Sequence, residues 1–168
     1  VVAWKGRIIG ERYAEGVDEN TSLLGWSAAK SITGALTGVM VQNHGLDIHT
    51  PVGLPEWSGD VRKDITIDHL LRMESGLDFE EDYAPLADAT EMLYGSPDMG
   101  VFAAAHKPAS PPGHRWSYSS GTSNILADIL YARTGGTPGA LHKLAYEQFF
   151  NRLGITTAVF EHDESDAL

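Results

Sequence analysis

No cysteine occurs among the 168 residues of the chain. This absence excludes disulfide bonds, zinc–thiolate centres and a cysteine nucleophile. It does not fix the cellular compartment, because exported proteins without cysteine are common. Since the chain begins at Val1 rather than at a methionine, the lack of a recognisable signal peptide is uninformative as well. A periplasmic or secreted location and a cytoplasmic location therefore both stay open.

Positive charge is also scarce, with 12 Lys and Arg residues against 23 Asp and Glu residues and a net charge of -11 at pH 7. No run of basic residues occurs, which argues against nucleic acid and anionic membrane surfaces as partners. No apolar run approaches the ~18 residues that a membrane-spanning helix requires. The 7 histidines are scattered without metal-ligand spacing, so we predict neither a metal nor a cofactor.

The composition, 42% hydrophobic and 21% charged, is typical of a folded globular domain. Residues 1–13 are rich in strand-forming side chains around a Lys5-Gly6 turn, and they predict a β-hairpin. Helical spacing of apolar residues predicts a helix from Ser27 to about Asn43. Thr66 is a typical N-cap for a short second helix.

The rest of the chain is predicted to be mostly helical. Short helices are expected near residues 88–93, 98–106 and 122–133, and Thr137-Pro138 begins a last helix that ends at Gly154. Residues 156–160 are expected to form a strand, and the acidic residues 161–166 to be exposed. The predicted fold class is therefore α+β, with an N-terminal β-hairpin followed by a mostly helical body.

The first candidate for chemistry is Ser27-Ala28-Ala29-Lys30, which fits the pattern S-x-x-K. Residues three apart lie on one face of a helix, so the hydroxyl and the amine can meet. A serine hydroxyl is a weak nucleophile that needs a base, and a lysine can serve as that base. Because two fixed positions match often by chance, an N-cap serine followed by a solvated lysine is the alternative for this motif alone.

The second candidate is Tyr118, which follows a rigid Pro111-Pro112-Gly113 turn and begins the sequence Tyr118-Ser119-Ser120. A phenol has a pKa of about 10, so it works as a base only when a neighbouring cation lowers that value. Lys30 is the candidate for this cation. The alternative for Tyr118 alone is a packed loop aromatic whose hydroxyl is satisfied.

Together these motifs resemble the serine hydrolases that include class C β-lactamases, D-Ala-D-Ala peptidases, related esterases and 6-aminohexanoate-dimer hydrolase. Gly25–Ser31 is similar to the first motif of that family. His69-Leu70-Leu71 with Ser75-Gly76-Leu77 is similar to its "HLL…SGL" helix end, and residues 112–119 resemble its "PG…F-x-Y-S-N" element. The three motifs follow one another in the same order as in the family, and the resemblance spans most of residues 1–160. It implies a β-lactamase/transpeptidase-like fold.

The resemblance also implies roles for individual residues. Ser27 attacks a carbonyl carbon and forms an acyl-enzyme, while Lys30 and Tyr118 move the proton. The implied substrate is a small molecule with an ester, amide or β-lactam carbonyl. Ser120 stands where the family usually has an Asn that contacts the lysine and the substrate, so it is a substrate-binding candidate. This departure favours the amide- and ester-hydrolysing branch. Trp26 flanks the first motif and is a further candidate for the substrate cleft.

One family element is missing from the chain, the third motif K-T-G or H-x-G, whose strand supplies a backbone N–H to the oxyanion hole. Arg133-Thr134-Gly135 has similar letters but is expected to end a helix. We therefore expect residues 1–168 to be part of a serine-hydrolase domain cut at both ends, with the C-terminal strands of the sheet outside the chain. A lost oxyanion-hole donor costs about 100- to 1,000-fold in rate, so this polypeptide alone is expected to be nearly inactive.

Two other interpretations stay open. A binding or sensor protein on the same scaffold would keep the fold without turnover, and both Ser120 and the missing third motif allow it. A helical interaction module with accidental motifs would leave the order of the motifs unexplained. Reaction of Ser27 with an acylating probe distinguishes the enzyme from both. The sequence predicts no oligomeric state.

Overall fold

The computed structural model describes residues 1–137 and 139–165. Two short strands, β1 (Val2–Trp4) and β2 (Arg7–Gly10), pair in an antiparallel ladder. The turn between them has φ values of 47° at Lys5 and 74° at Gly6. Two consecutive positive φ values suit a tight hairpin, because they match the twist of the flanking strands. The predicted β-hairpin is therefore confirmed.

Six α-helices follow in the described part of the chain. Their bounds are α1 (Ala29–His44), α2 (Ile67–Leu71), α3 (Asp88–Gly95), α4 (Met99–Ala104), α5 (Ser120–Arg133) and α6 (Ala140–Ala145). Three 3₁₀ turns lie before α2, at Trp26–Ala28, Pro55–Trp57 and Val61–Asp64. After α6 the chain continues through a π-helical turn (Tyr146–Phe150) and a 3₁₀ turn (Asn151–Leu153). The α+β fold class is confirmed, and none of the described helices is long and apolar enough to cross a membrane.

Side-chain caps decide where several of these helices begin. Thr66 accepts the backbone N–H of His69 at 3.1 Å, and the ring of His69 contacts the backbone N–H of Thr66 at 3.2 Å. The side chains of Asp98 and Ser119 cap α4 and α5 in the same way. These bonds satisfy N–H groups that have no partner inside the helix. The N-cap predicted at Thr66 is thereby confirmed.

Helix α5 lies at the centre of the fold, where it packs against α1, α2 and α4. Its own Ile125 and Leu130 are almost fully buried, and they share one core cluster with Leu36, Trp57, Ile65, Leu70 and Met92. The packing is close at Gly121, where a Cβ would lie 2.8 Å from the ring of Phe79 and 2.9 Å from the Cβ of Ala103. The first turn of α5 is therefore held firmly in the core.

The strand predicted at residues 156–160 is wrong, since this segment is irregular. Its backbone bonds to side chains instead. The hydroxyl of Tyr146 donates to the carbonyl of Ala158 at 2.7 Å, and the ring of His142 contacts the carbonyl of Phe160 at 2.9 Å. A strand forms only where a neighbouring strand completes its ladder of hydrogen bonds, and none of the described residues offers one here.

The C-terminal expectations have mixed outcomes. Pro138 and Asp166 lie outside the described residues, so the Thr137-Pro138 helix start and the end of the acidic segment are not described. The predicted helix end at Gly154 is confirmed by its left-handed φ of 69°. Asp163 departs from the expected exposure, because it is half-buried and accepts the backbone N–H of Met99 at 3.0 Å.

Candidate active site

Ser27 and Lys30 lie where the chain enters α1. Trp26 has a φ of 44°, an uncommon value for a residue other than glycine, and it leads the chain into the 3₁₀ turn. Ser27 is exposed on this turn, and its side chain makes no capping bond. The alternative of an N-cap serine is therefore wrong. The amine of Lys30 lies 3.3 Å from the hydroxyl of Ser27, so the two groups meet as their spacing predicts.

Tyr118 is positioned by the residues that follow α2. Three backbone hydrogen bonds of 2.8 Å join residues 73–76 to the loop of residues 109–117. They run from Ser117 N–H to the Met73 carbonyl, from Gly113 N–H to the Glu74 carbonyl and from Ala109 N–H to the Gly76 carbonyl. Gly76 has a φ of 77°, and a Cβ there would overlap the carbonyl of Ser110. The S-G-L segment thus requires glycine, and it holds the loop that carries Tyr118.

Ser120, the first residue of α5, completes a bridge across the site. Its hydroxyl accepts a hydrogen bond of 2.9 Å from the amine of Lys30. Ser120 is buried, with 8% of its surface exposed, and Lys30 is half-buried, so this contact is partly shielded from water. The amine of Lys30 therefore lies between the hydroxyls of Ser27 and Ser120, which belong to the starts of two packed helices.

The structure brings Tyr118 to Lys30 through the face of its ring. The amine lies 5.0 Å from the ring centroid, within the range of a cation–π interaction. Within residues 1–137 and 139–165, the Tyr118 hydroxyl makes no hydrogen bond, and 37% of the residue is exposed. The cation expected near Tyr118 is present. A role for the phenol as a base stays a prediction.

Glu81 is a residue that the sequence analysis does not single out. Its two carboxylate oxygens accept from the backbone N–H and the hydroxyl of Ser120, at 2.6 and 2.5 Å. The hydroxyl of Tyr83 donates to the same carboxylate at 2.9 Å, and this hydrogen bond is the main cause that raises the pKa of Tyr83. Glu81 is therefore part of the site's hydrogen-bond network.

Trp26 and Arg133 make no hydrogen bond to Ser27, Lys30 or Ser120 among the described residues. Trp26 is adjacent to Ser27 and is 65% exposed, so a substrate contact there stays a prediction. Asn124, one helical turn after Ser120, donates from its side chain to the carbonyl of Ser120 at 3.0 Å. Arg133 ends α5, as expected for a helix end.

The arrangement can transfer a proton and expose a nucleophile. An exposed serine hydroxyl lies next to an amine that is held from the other side by a buried hydroxyl. A serine with a lysine one turn later is one of the known nucleophile–base pairs of acyl transfer. Among the described residues, no group of three or more His, Asp or Glu side chains could hold a metal ion. A pairing of this kind is typical of the serine-hydrolase class.

Comparison with known proteins agrees with this class. The Beta-lactamase family model matches residues 1–168, and the chain belongs to that family. Among solved structures, the "putative beta-lactamase from Bacteroides dorei DSM 17855" is similar, with a TM-score of 0.60 and 26% sequence identity. The match covers 77% of this chain and 38% of that chain. No curated protein matches the chain. The predicted β-lactamase-like family and fold are confirmed.

Proposed function

We propose that the protein carrying this chain is a serine hydrolase that acts through a covalent acyl-enzyme, with Ser27 as its nucleophile. The supporting observation is the position of the Lys30 amine, 3.3 Å from the hydroxyl of Ser27 and 2.9 Å from that of Ser120. A solvated lysine would not need a buried acceptor on a second helix. Held in this way, the amine is directed at the exposed serine and can serve as its base.

The proposed reaction has two halves. The Ser27 oxygen forms a bond to the substrate carbonyl carbon, and its proton passes to the amine form of Lys30. The tetrahedral intermediate then expels the alcohol or amine, which takes up the proton from Lys30, either directly or through Tyr118. Water attacks the acyl-enzyme in the same manner, releases the acid and restores the Ser27 hydroxyl. Hydrogen bonds of an unliganded site often tighten only with substrate, which is how Tyr118 would come into play.

Ester and amide substrates fit this site better than a ligand that requires an amide donor at residue 120. An Asn side chain offers two N–H donors together with an acceptor oxygen. Ser120 has one hydrogen, which it donates to Glu81, while its oxygen accepts from Lys30. Ser120 therefore has no further donor for a substrate. We propose an ester or amide carbonyl as the substrate class, with the β-lactam as the alternative that the test below separates.

The test is covalent labelling of the full-length protein by a fluorescent fluorophosphonate and a fluorescent penicillin, with hydrolysis of p-nitrophenyl butyrate measured in parallel. Ser27→Ala should abolish labelling and hydrolysis, because it removes the attacking oxygen. Ser22→Ala is the matched control, since Ser22 is an exposed serine five residues earlier, and it should label like the wild type.

Each outcome decides one point. Labelling that disappears only in Ser27→Ala supports the nucleophile, and stronger labelling by the fluorophosphonate than by the penicillin supports an ester or amide substrate. A folded wild-type protein that reacts with neither probe would refute the hydrolase and support a binding protein on the same scaffold.

A further inference from the structure

Glu81 accepts two hydrogen bonds from Ser120, one at each carboxylate oxygen. One oxygen accepts the backbone N–H of Ser120 at 2.6 Å, and the other accepts its hydroxyl at 2.5 Å. Glu81 is only half-buried, but Ser120 is buried and the contact lies at the first turn of α5. A carboxylate that meets a side chain and the backbone of one residue together fixes the orientation of that residue.

The direction of these bonds follows from counting hydrogens. An ionised carboxylate only accepts, so the single hydrogen of the Ser120 hydroxyl points at Glu81. The lone pairs of the hydroxyl oxygen are then left for the other neighbour, the amine of Lys30 at 2.9 Å. The hydroxyl oxygen of Ser120 can therefore only accept a hydrogen bond from Lys30. Without Glu81, the hydroxyl could rotate and direct its hydrogen at the lysine instead.

We propose that Glu81 is a positioning residue of this hydrolase. It keeps the hydroxyl of Ser120 as a hydrogen-bond acceptor toward Lys30, and this acceptor holds the Lys30 amine beside Ser27. The inference rests on the proposed function of the same site. It also accounts for a serine where the resembled family has an Asn. The carbonyl oxygen of an amide is an acceptor by its chemistry, whereas a hydroxyl becomes one only when its hydrogen is engaged elsewhere.

Glu81→Gln is the diagnostic substitution, because glutamine has nearly the same shape but only one acceptor oxygen. If that oxygen stays on the backbone N–H of Ser120, the amide N–H₂ faces the hydroxyl and donates to it. The Ser120 hydrogen is then displaced toward Lys30. We expect the acylation rate at saturating ester to fall about 10- to 100-fold with little change in KM, the range for a lost hydrogen bond to a charged group. Glu80→Gln is the matched control, since it removes the same charge from the exposed neighbouring residue.

A double-mutant cycle separates this role from simple anchoring of the loop. If Glu81 acts through the hydroxyl of Ser120, then Glu81→Gln should cost less than about 3-fold once Ser120→Ala has removed that hydroxyl. Anchoring through the backbone N–H would cost the same factor in both backgrounds. Thermal unfolding of all four proteins shows whether each variant is folded, so that the rates compare native proteins.

The outcomes also distinguish this inference from the proposed function. Wild-type labelling that is lost in Ser27→Ala, together with slow acylation of Glu81→Gln and the non-additive cycle, supports the positioning role. Labelling of Glu81→Gln at the wild-type rate, or an additive cycle, overturns that role and leaves the hydrolase intact. A wild-type protein that is never acylated overturns both.

Discussion

Replacing Asp128 by asparagine should stabilise the protein in a strongly pH-dependent way. Asp128 lies on α5 against α4, where a Cβ on Gly100 would overlap its carboxylate. One of its oxygens is buried with no hydrogen-bond partner among the described residues. Burial, followed by the charges of Asp98 and Asp163, raises the pKa of Asp128 to about 7 from an ordinary value of 3.8. Asparagine has the same shape and carries no charge at any pH.

The sign follows from which state holds the proton. Between pH 3.8 and about 7 the folded protein keeps a proton on Asp128 that the unfolded chain has lost. The free energy of unfolding therefore falls as the pH rises through this window. Above about pH 7 the full cost of a charged, buried Asp128 is present. A difference of about 3 pKa units corresponds to about 4 kcal/mol, since each unit equals 1.36 kcal/mol. Partial exposure of Asp128 reduces the expected effect to about 2 to 4 kcal/mol.

Urea unfolding of the wild type and Asp128→Asn at pH 4, 6 and 8, followed by circular dichroism, measures this effect. We expect nearly equal stability at pH 4 and a variant about 2 to 4 kcal/mol more stable at pH 8. Asp64→Asn, at an exposed residue, is the control and should stay within about 0.5 kcal/mol of the wild type at each pH. A variant that gains nothing between pH 4 and pH 8 would refute the assignment of a buried, protonated Asp128.

Two further predictions concern packing in the core. Gly121→Ala should cost about 1 to 3 kcal/mol of unfolding free energy, because its Cβ would press on Phe79 at 2.8 Å, and it should slow acylation by shifting the start of α5. Thermal unfolding and labelling rates measure both effects. Trp57→Phe should cost about 1 to 3 kcal/mol, because Trp57 is fully buried and its indole N–H donates to the carbonyl of Ala104 at 2.9 Å. Urea unfolding measures this cost, and a cost below about 0.5 kcal/mol would contradict the hydrogen bond.

Local signals in the sequence were sufficient for most of the fold. The hairpin turn at Lys5-Gly6, the cap at Thr66 and the glycine end at Gly154 each act within a few residues, so they can be read without knowing the tertiary structure. The strand expected at residues 156–160 failed for the opposite reason, because a strand depends on a partner elsewhere in the chain.

The contacts of the candidate site also differ in how far apart their residues lie in the sequence. Ser27 and Lys30 lie one turn apart on the same chain segment, so their spacing alone predicts their contact, which the distance of 3.3 Å bears out. The bridge from Lys30 to Ser120 joins residues 90 positions apart, and only the order of the family motifs suggested that they meet. The contact of Glu81 with Ser120 spans 39 positions and has no motif of its own.

A signal for Glu81 was nevertheless present in the sequence. Residues 77–81 read Leu-Asp-Phe-Glu-Glu, and in an extended segment alternate side chains point to the same side. Leu77 and Phe79 are buried while Asp78 and Glu80 are exposed, so the alternation directs Glu81 inward. Phe79 packs on Gly121, the neighbour of Ser120, which brings the carboxylate two residues later to the helix start. An acidic residue in phase with two core residues is therefore better interpreted as a partner for a buried polar group than as part of a solvated run.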